Sequence, residues 1–458
     1  TGPGSASSGG GAAAVQLAGA GAPSNNSSAG QTIAAIKDSS VFSTAAAAPV
    51  GEPEAVRVYA TFDGTIESVA GAVSFALAAG AGARVAVGGA MAINTIGGQT
   101  LAAMEDATVR AVGPIAVIAF SKATIDTASI GVSAAVQVGA GAQVSGAGSI
   151  SINTNLTITK AVVFASSDIT TPSSGGLTVR AQDGLALAAA PAITRGDTQA
   201  EGFETEVPDA HADANIKTVA GAVAASFGSG AGAGVAVGLS FAQNILVQQT
   251  LALVEDSDVD VVGDVLVEVV SPATIYATAF GAALAARVGA GATVAGGGGI
   301  ALNDIRSVAR AAIDGSEDAD DSTFRVRANA VEVSVDNSTD IRAVMVGAAV
   351  SLNIGAGAAL AIGAAVALND TGGSATAEIV DAEVLARTGS VLVESVRTSE
   401  IVSVAVAAAV SGAPPTSGFT LSLSITYVES RISGDVVARS EDRDVEAGTC
   451  VTVDARSE

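Results

Sequence analysis

The side chains best suited to bind or react are gathered in one stretch of this chain. Arg195-Gly196-Asp197 is followed by Glu201, Glu204, Glu206, Asp209, His211 and Asp213, with no Lys or Arg from Gly196 to Ala214. Three readings stand. Arg195, Gly196 and Asp197 make an integrin-type recognition tripeptide if the stretch is an exposed loop; Glu204, Glu206, Asp209 and Asp213 offer oxygen donors to Ca²⁺; or the acids form a solvated loop that holds nothing. Elsewhere the chemistry is thin. His211 is the only histidine and Cys450 the only cysteine, so a zinc site with two His from one chain and an internal disulfide are both excluded, and a Ser-His-Asp triad would have to be built on His211. No EF-hand loop or calcium nonapeptide occurs, and Ca²⁺ is the one cofactor considered. Paired carboxylates could serve a β-helical polysaccharide lyase or hydrolase, but 45 acids will form pairs by chance. No catalytic residue is assigned, and the chain is read as a non-enzyme.

What must position that acidic stretch is a repeat. Gly-Ala-Gly-Ala begins at Gly19, Gly80, Gly139, Gly230, Gly289 and Gly355. Five of the six copies place an asparagine fourteen positions later, at Asn94, Asn153, Asn244, Asn303 and Asn369. Intervals of 61, 59, 91, 59 and 66 residues indicate a unit near 60 with one large insertion. Gly80 and Gly230, Asn94 and Asn244, and Gly139 and Gly289 are each 150 residues apart, the mark of a duplicated two-unit block. The 458 residues are therefore read as one elongated repeat domain. Its units are roughly 1–64, 65–123, 124–214 with the acidic insertion near 193–214, 215–273, 274–339, 340–399 and a diverged 400–458. The first unit reads as shortened, because Asn26 follows Gly19 by only seven positions; the last has Gly412-Ala413-Pro414-Pro415 for the glycine motif and Thr426 for the asparagine. With no visible signal peptide or capping repeat, the chain reads as a processed product or a window of a longer protein.

Composition narrows the class. Hydrophobic residues make up 49% and aromatics 3%, with no Trp and 54 Gly, so thin layers of Ala, Val, Ile and Leu are expected rather than a globular core. A net charge of −24 disfavours nucleic acid and anionic membrane surfaces. Ala343 to Asn369 is uncharged and long enough for a membrane helix, but glycines interrupt it. Val326 to Val335 approaches period two, charged strand-like segments follow the uncharged runs closely, and Lys/Arg show no alternation from end to end. Strand is the reading, without a membrane span.

Glycine-punctuated strands in tandem predict an all-β fold, a parallel β-helix or β-solenoid. At roughly 20 to 30 residues per coil, each unit would hold two or three coils, and the whole would be a rod on the order of 70 to 100 Å long. Gly-Ala-Gly-Ala then marks a corner or thin layer, and Asn94, Asn153, Asn244, Asn303 and Asn369 are structural turn residues. Recurring only every second or third coil, they would not form a continuous amide ladder. Asp38, Asp106, Asp256 and Asp381, each twelve residues past the asparagine, read as turn acids.

Gly88-Gly89-Ala90-Met91-Ala92-Ile93-Asn94-Thr95, Gly148 to Thr154 and Ala364 to Asp370, each behind a Gly-Ala-rich stretch, resemble the repeat region of leukotoxin-type filamentous bacterial adhesins. The resemblance covers nearly the whole chain and implies a secreted β-helical stalk, with no catalytic residue carried over. The expected function is a structural or adhesive rod, extracellular or on a bacterial cell surface. Its expected partners are copies of itself in a fibre, neighbouring segments of a longer chain, or a host or cell-surface protein or glycan.

Overall fold

The computed structural model describes residues 14–44, 55–165, 167–172, 175–184, 215–315, 324–414, 418–441 and 443–458. Among them every regular element is a strand, and all pairing is parallel, in one 13-stranded and one 8-stranded sheet. Two turns and two long strands make one coil. Gly82–Ala111 runs along the first sheet, the chain turns at Val112 to Pro114, Ile115–Val138 returns along the second sheet, and a Gly-Ala-Gly corner leads into Gly141–Phe164. The expected β-solenoid is present.

Its dimensions differ from expectation. Asn94 pairs with Asn153, and Val288 with Ile354, so each unit near 60 residues is one coil, not two or three. Seven coils at about 4.8 Å give a stack only about 30 Å high, while a 24-residue strand extends roughly 80 Å at about 3.3 Å per residue. The body is a broad two-layered slab, longest along its strands.

Side-chain size sets the spacing between the sheets. On both sides of the acidic turns, alternate residues such as Met104, Val109, Ile115, Val117, Val265 and Val333 form a continuous buried core. Towards the corners the inward residues shrink to Ala and Gly, as at Ala222, Ala236, Ala285 and Ala295. There the sheets meet backbone to backbone: a Cβ on Gly131 would lie 2.1 Å from the carbonyl oxygen of Gly148 on the facing sheet. At the corner itself Gly141 has φ +150, and a Cβ would fall 1.8 Å from the Gly82 oxygen of the coil before. Five of the Gly-Ala-Gly-Ala copies make such corners. The copy at Gly19 does not, because it lies inside Ala14–Ser43 with Gly19 opposite Val87.

The acid markers sit at the other bend. Asp38, Asp106, Asp256 and Asp381 all have φ between 46 and 54, the left-handed conformation that Asp tolerates better than most residues. Past this bend the short strands Asp168–Thr171, Asp258–Val261, Arg325–Ala328 and Glu383–Ala386 stack on one another.

Candidate functional site

The asparagines lie inside the slab, one per coil. Asn26 pairs in register with Asn94, so the first unit keeps its place in the ladder rather than being shortened before it. Each Nδ2 donates to the Oδ1 one coil on: Asn26 to Asn94 at 2.8 Å, Asn94 to Asn153 at 2.8 Å, Asn153 to Asn244 at 2.9 Å, Asn244 to Asn303 at 2.8 Å and Asn303 to Asn369 at 2.7 Å. Asn369 ends the run on Ser403 Oγ at 2.6 Å. A continuous amide ladder exists after all, because one coil per unit brings the same position round every 4.8 Å or so. In the seventh coil Ser430, not Thr426, occupies the position. The facing sheet adds hydroxyls: Thr127 donates to Asn153 Oδ1 at 2.9 Å and Thr218 to Asn244 Oδ1 at 2.6 Å. The buried amides are thereby paired along and across the stack, which is what makes their burial tolerable.

A second polar seam runs nearer the thick end. Asp183 is fully buried, and Thr157 Oγ1 donates to its Oδ2 at 2.7 Å, with Thr159 at 3.4 Å. Burial pushes its carboxyl up to about 7, partly opposed by the Thr157, Thr159 and Gln248 dipoles. Along the same seam Ser271 bonds Ser307 at 3.1 Å, and Ser307 donates to Asn337 at 3.0 Å. The seam ends on buried Arg397, which donates to the Ser433 carbonyl at 2.7 Å.

The third cluster plugs the glycine corners. Gln137 Nε2 donates to the carbonyls of Gly80 at 3.1 Å, Gly82 at 3.1 Å and Ala140 at 2.9 Å. Arg287 reaches Gly230 O at 3.1 Å, Gly141 O at 3.2 Å and Gln143 Oε1 at 3.0 Å. Its register neighbour in the preceding coil is Gly228, whose missing side chain leaves the space that Gln143 and Arg287 fill. Backbone oxygens rather than carboxylates hold this guanidinium, and burial lowers its proton affinity.

On the outside, carboxylates are held by arginines. A groove on the first sheet is lined by Gln243, Leu302, Asp304, Asp370, Glu429 and Arg431 among others. Arg306 bridges its two aspartates, at 2.9 Å from Asp304 and 2.7 Å from Asp370. Burial raises the Asp304 carboxyl, Arg306 opposes that, and Asp370 adds to it. Two acids tied to one guanidinium are not the opposed acid and base of a glycosidase. Glu378 is similarly held between Arg310 and Arg439, at 2.5 and 2.7 Å. Burial would raise its carboxyl, but the two arginines outweigh it and leave it lowered. No group of three His, Cys, Asp or Glu among the described residues could hold a metal ion.

Arg195, Gly196, Asp197, Glu204, Glu206, Asp209 and Asp213 lie outside the described residues, between Gly184 and Asn215. The structure therefore brings together the repeat asparagines, and the internal seams of Asp183, Arg287 and Gln137 were not anticipated. Arg84 and Arg287 carried a signal, being the only charges in their long uncharged runs. No family model matches the chain, and no curated protein or solved structure matches it.

Proposed function

We propose that this chain is a structural segment of a secreted or surface-exposed bacterial protein, one that extends a β-solenoid fibre by adding coils. The observation that carries this reading is the unbroken register: six amides stack in one line through a body whose coils repeat the same two strands and the same corner. Such a lattice resists shear along every coil, and its repeat yields stiffness and extent rather than a cleft. Among the described residues, the strands Ala14–Ser43 and Gly418–Ile432 each pair with the sheet on one side only, leaving edges suited to a further coil. Its partners in this reading are copies of itself or adjoining segments of a longer chain. The acidic insertion near 193–214, which interrupts the repeat, would face any host protein, glycan or Ca²⁺.

Electron microscopy of the purified chain at rising concentration tests the reading. Stacks with a rung spacing of about 4.8 Å along the long axis support it. A Ser424→Pro variant, which removes a donor on the open side of the edge strand, should stop growth at that end. A chain that stays monomeric at high concentration overturns self-assembly, and calorimetric titration with Ca²⁺ that stays silent removes the metal from the insertion.

A further inference from the structure

Charge divides this slab into two halves. From Thr127 to Thr159, Thr218 to Val254, Ala343 to Asn369 and Ile401 to Val428 there is no charged residue; between Ser68 and Met104 the only one is Arg84, and between Ala277 and Asn303 the only one is Arg287. Both arginines are buried, 2% and 1% exposed. The described surface of the second sheet from the amide ladder to the glycine corners therefore carries no charge. It is also apolar: Val69 is 83% exposed, Val73 59%, Leu77 55% and Val288 56%. The first sheet presents Val87, Met91, Ile150, Leu239 and Ile300 on its own outer face, and there the uncharged zone reaches further in the early coils, to Glu105, Lys160 and Glu255.

We propose that the glycine-corner half of the slab sits in the acyl-chain layer of a zwitterionic lipid bilayer. Four features select that occupant. The corners are built without water: Gly-Ala-Gly offers no polar side chain, the backbone N–H groups of Gly80, Gly141 and Gly230 bond carbonyls of the next coil at 2.8 Å, and Gln137, Arg287 and Asn353 cap corner carbonyls from inside. Soluble turns need no such provision, whereas hydrocarbon demands it. The boundary is sharp on the second sheet. One outward row holds Glu67, Asp126, Lys217, Tyr276 and Arg342, and the next row towards the corners holds Val69, Ala128, Val219, Thr278 and Val344. Tyr276 lies under the Arg342 guanidinium at 5.6 Å, and on the first sheet Tyr427 donates to Glu429 at 2.7 Å, the placement of tyrosines at a lipid–water interface.

Size and shape decide between lipid and a second copy. From Val69 to Ala79 the strand covers about 33 Å at about 3.3 Å per residue, against a hydrocarbon core of about 30 Å. Each apolar face then spans roughly 800 to 1,000 Å², over six strands on the second sheet and seven on the first, beyond the few hundred Å² that soluble monomers expose and at least the roughly 800 Å² that a standard interface takes from each partner. The two faces point in opposite directions, so one partner copy covers only one of them, whereas a bilayer covers both. No helix among the described residues is long and apolar enough to cross a membrane; strands enter by pairing. The unpaired edges of the end coils are costly in hydrocarbon, so lipid entry goes with pairing of those edges in neighbouring coils. The acidic half, with its net negative charge, stays in water.

Flotation of the full chain with phosphatidylcholine vesicles tests this. The chain should float with the vesicles to the same extent at low and high salt, because no surface charge mediates contact. A Val223→Asp, Leu239→Asp double variant should lose at least tenfold of the floated fraction, while Val262→Asp, in the charged half, should float like the parent. A second readout does not depend on variants of the apolar faces. A polarity-sensitive label on Cys450, which is exposed in the charged half, should be indifferent to vesicles. The same label on Ala140→Cys in a Cys450→Ser background should shift to the blue and be quenched by acyl-chain nitroxides. Protein left behind by the vesicles, a double variant that floats normally, or a corner label already shielded without lipid overturns the proposal, the last in favour of a second copy. A chain that stacks but does not float overturns this inference and leaves the fibre reading standing.

Discussion

Asp183→Asn is the most informative single change inside the slab. The wild-type carboxyl is fully buried, takes hydrogen bonds from Thr157 and Thr159, and has no partner on Oδ1. Burial raises its pKa from 3.8 to about 7. A folded-state value above the unfolded one means that the native state holds the proton more tightly, so the contribution of Asp183 to stability is greatest below about pH 4, falls as pH rises through the window from about 4 to 7, and levels off above it. At about 1.36 kcal/mol per unit, the loss across the window is roughly 4 kcal/mol. Asparagine keeps an acceptor for the two threonines, and its amide can donate to Gln248, whose own Oε1 lacks a partner. Urea midpoints for both chains between pH 4.5 and 8 provide the assay. The variant should be the more stable chain by roughly 2 to 4 kcal/mol at pH 8 and should lose that advantage near pH 4.5. Parallel pH profiles for the two chains would refute the assignment of a proton to Asp183 at neutral pH.

Other changes probe the ladder, the corner and the surface brackets. Asn244→Leu strands the Asn153 donor, the Asn303 acceptor and the Thr218 hydroxyl, and should cost about 3 to 5 kcal/mol in chemical denaturation, against under about 1 kcal/mol for Asn25→Leu in the outer row of the first coil. Arg287→Ala takes the guanidinium donors from the Gly230 carbonyl and Gln143 Oε1, leaves the Gly141 carbonyl only the long bond from Gln143 and opens a cavity, lowering stability by about 3 kcal/mol or more; urea midpoints read it. Gly141→Ala places a methyl group against the Gly82 carbonyl at a φ of +150, and should prevent soluble expression of the folded chain while Gly148→Ala, with nothing within 4 Å, does not. Glu378→Gln removes a carboxyl whose folded value is lowered by Arg310 and Arg439, so the wild-type advantage should be present above the ordinary glutamate value near 4.5 and shrink as pH falls through the lower folded value; a difference that does not shrink on acidification would count against the bracket.

The repeat and its strands were legible because glycine spacing and period-two alternation are local properties. Asp106 and Asp256 could be read as turn acids for the same reason: their left-handed backbone is a one-residue affair. The number of coils per unit was not legible from strand periodicity, since a 24-residue strand folded once and two shorter strands alternate alike. The discriminating signal was charge. Each unit has a single charged block around Asp106 or Asp256 and a single uncharged run around Gly80 or Gly230, and two coils per unit would have repeated that block about every 30 residues. The amide ladder follows from the coil count alone. Asp183 and Arg287 stayed hidden for another reason: what makes them special is desolvation by the facing sheet, contributed by residues distant in sequence, Thr157 across the same coil and Gln143 from the coil before. Gly19 shows the converse error, in which a motif identical in letters falls inside a strand because register, not spelling, decides its place.

One repeat unit is one coil, and an engineered disulfide reads that coil count. Ile300 and Val366 are Cα partners in adjacent coils on the outer face, and adjacent rungs about 4.8 Å apart lie within the Cα separation a disulfide accepts. In a Cys450→Ser background, the Ile300→Cys, Val366→Cys chain should oxidise quantitatively with the fold retained. Failure of that pair, with ready bridging of an Ile300→Cys, Ala330→Cys chain instead, would place two coils in each unit.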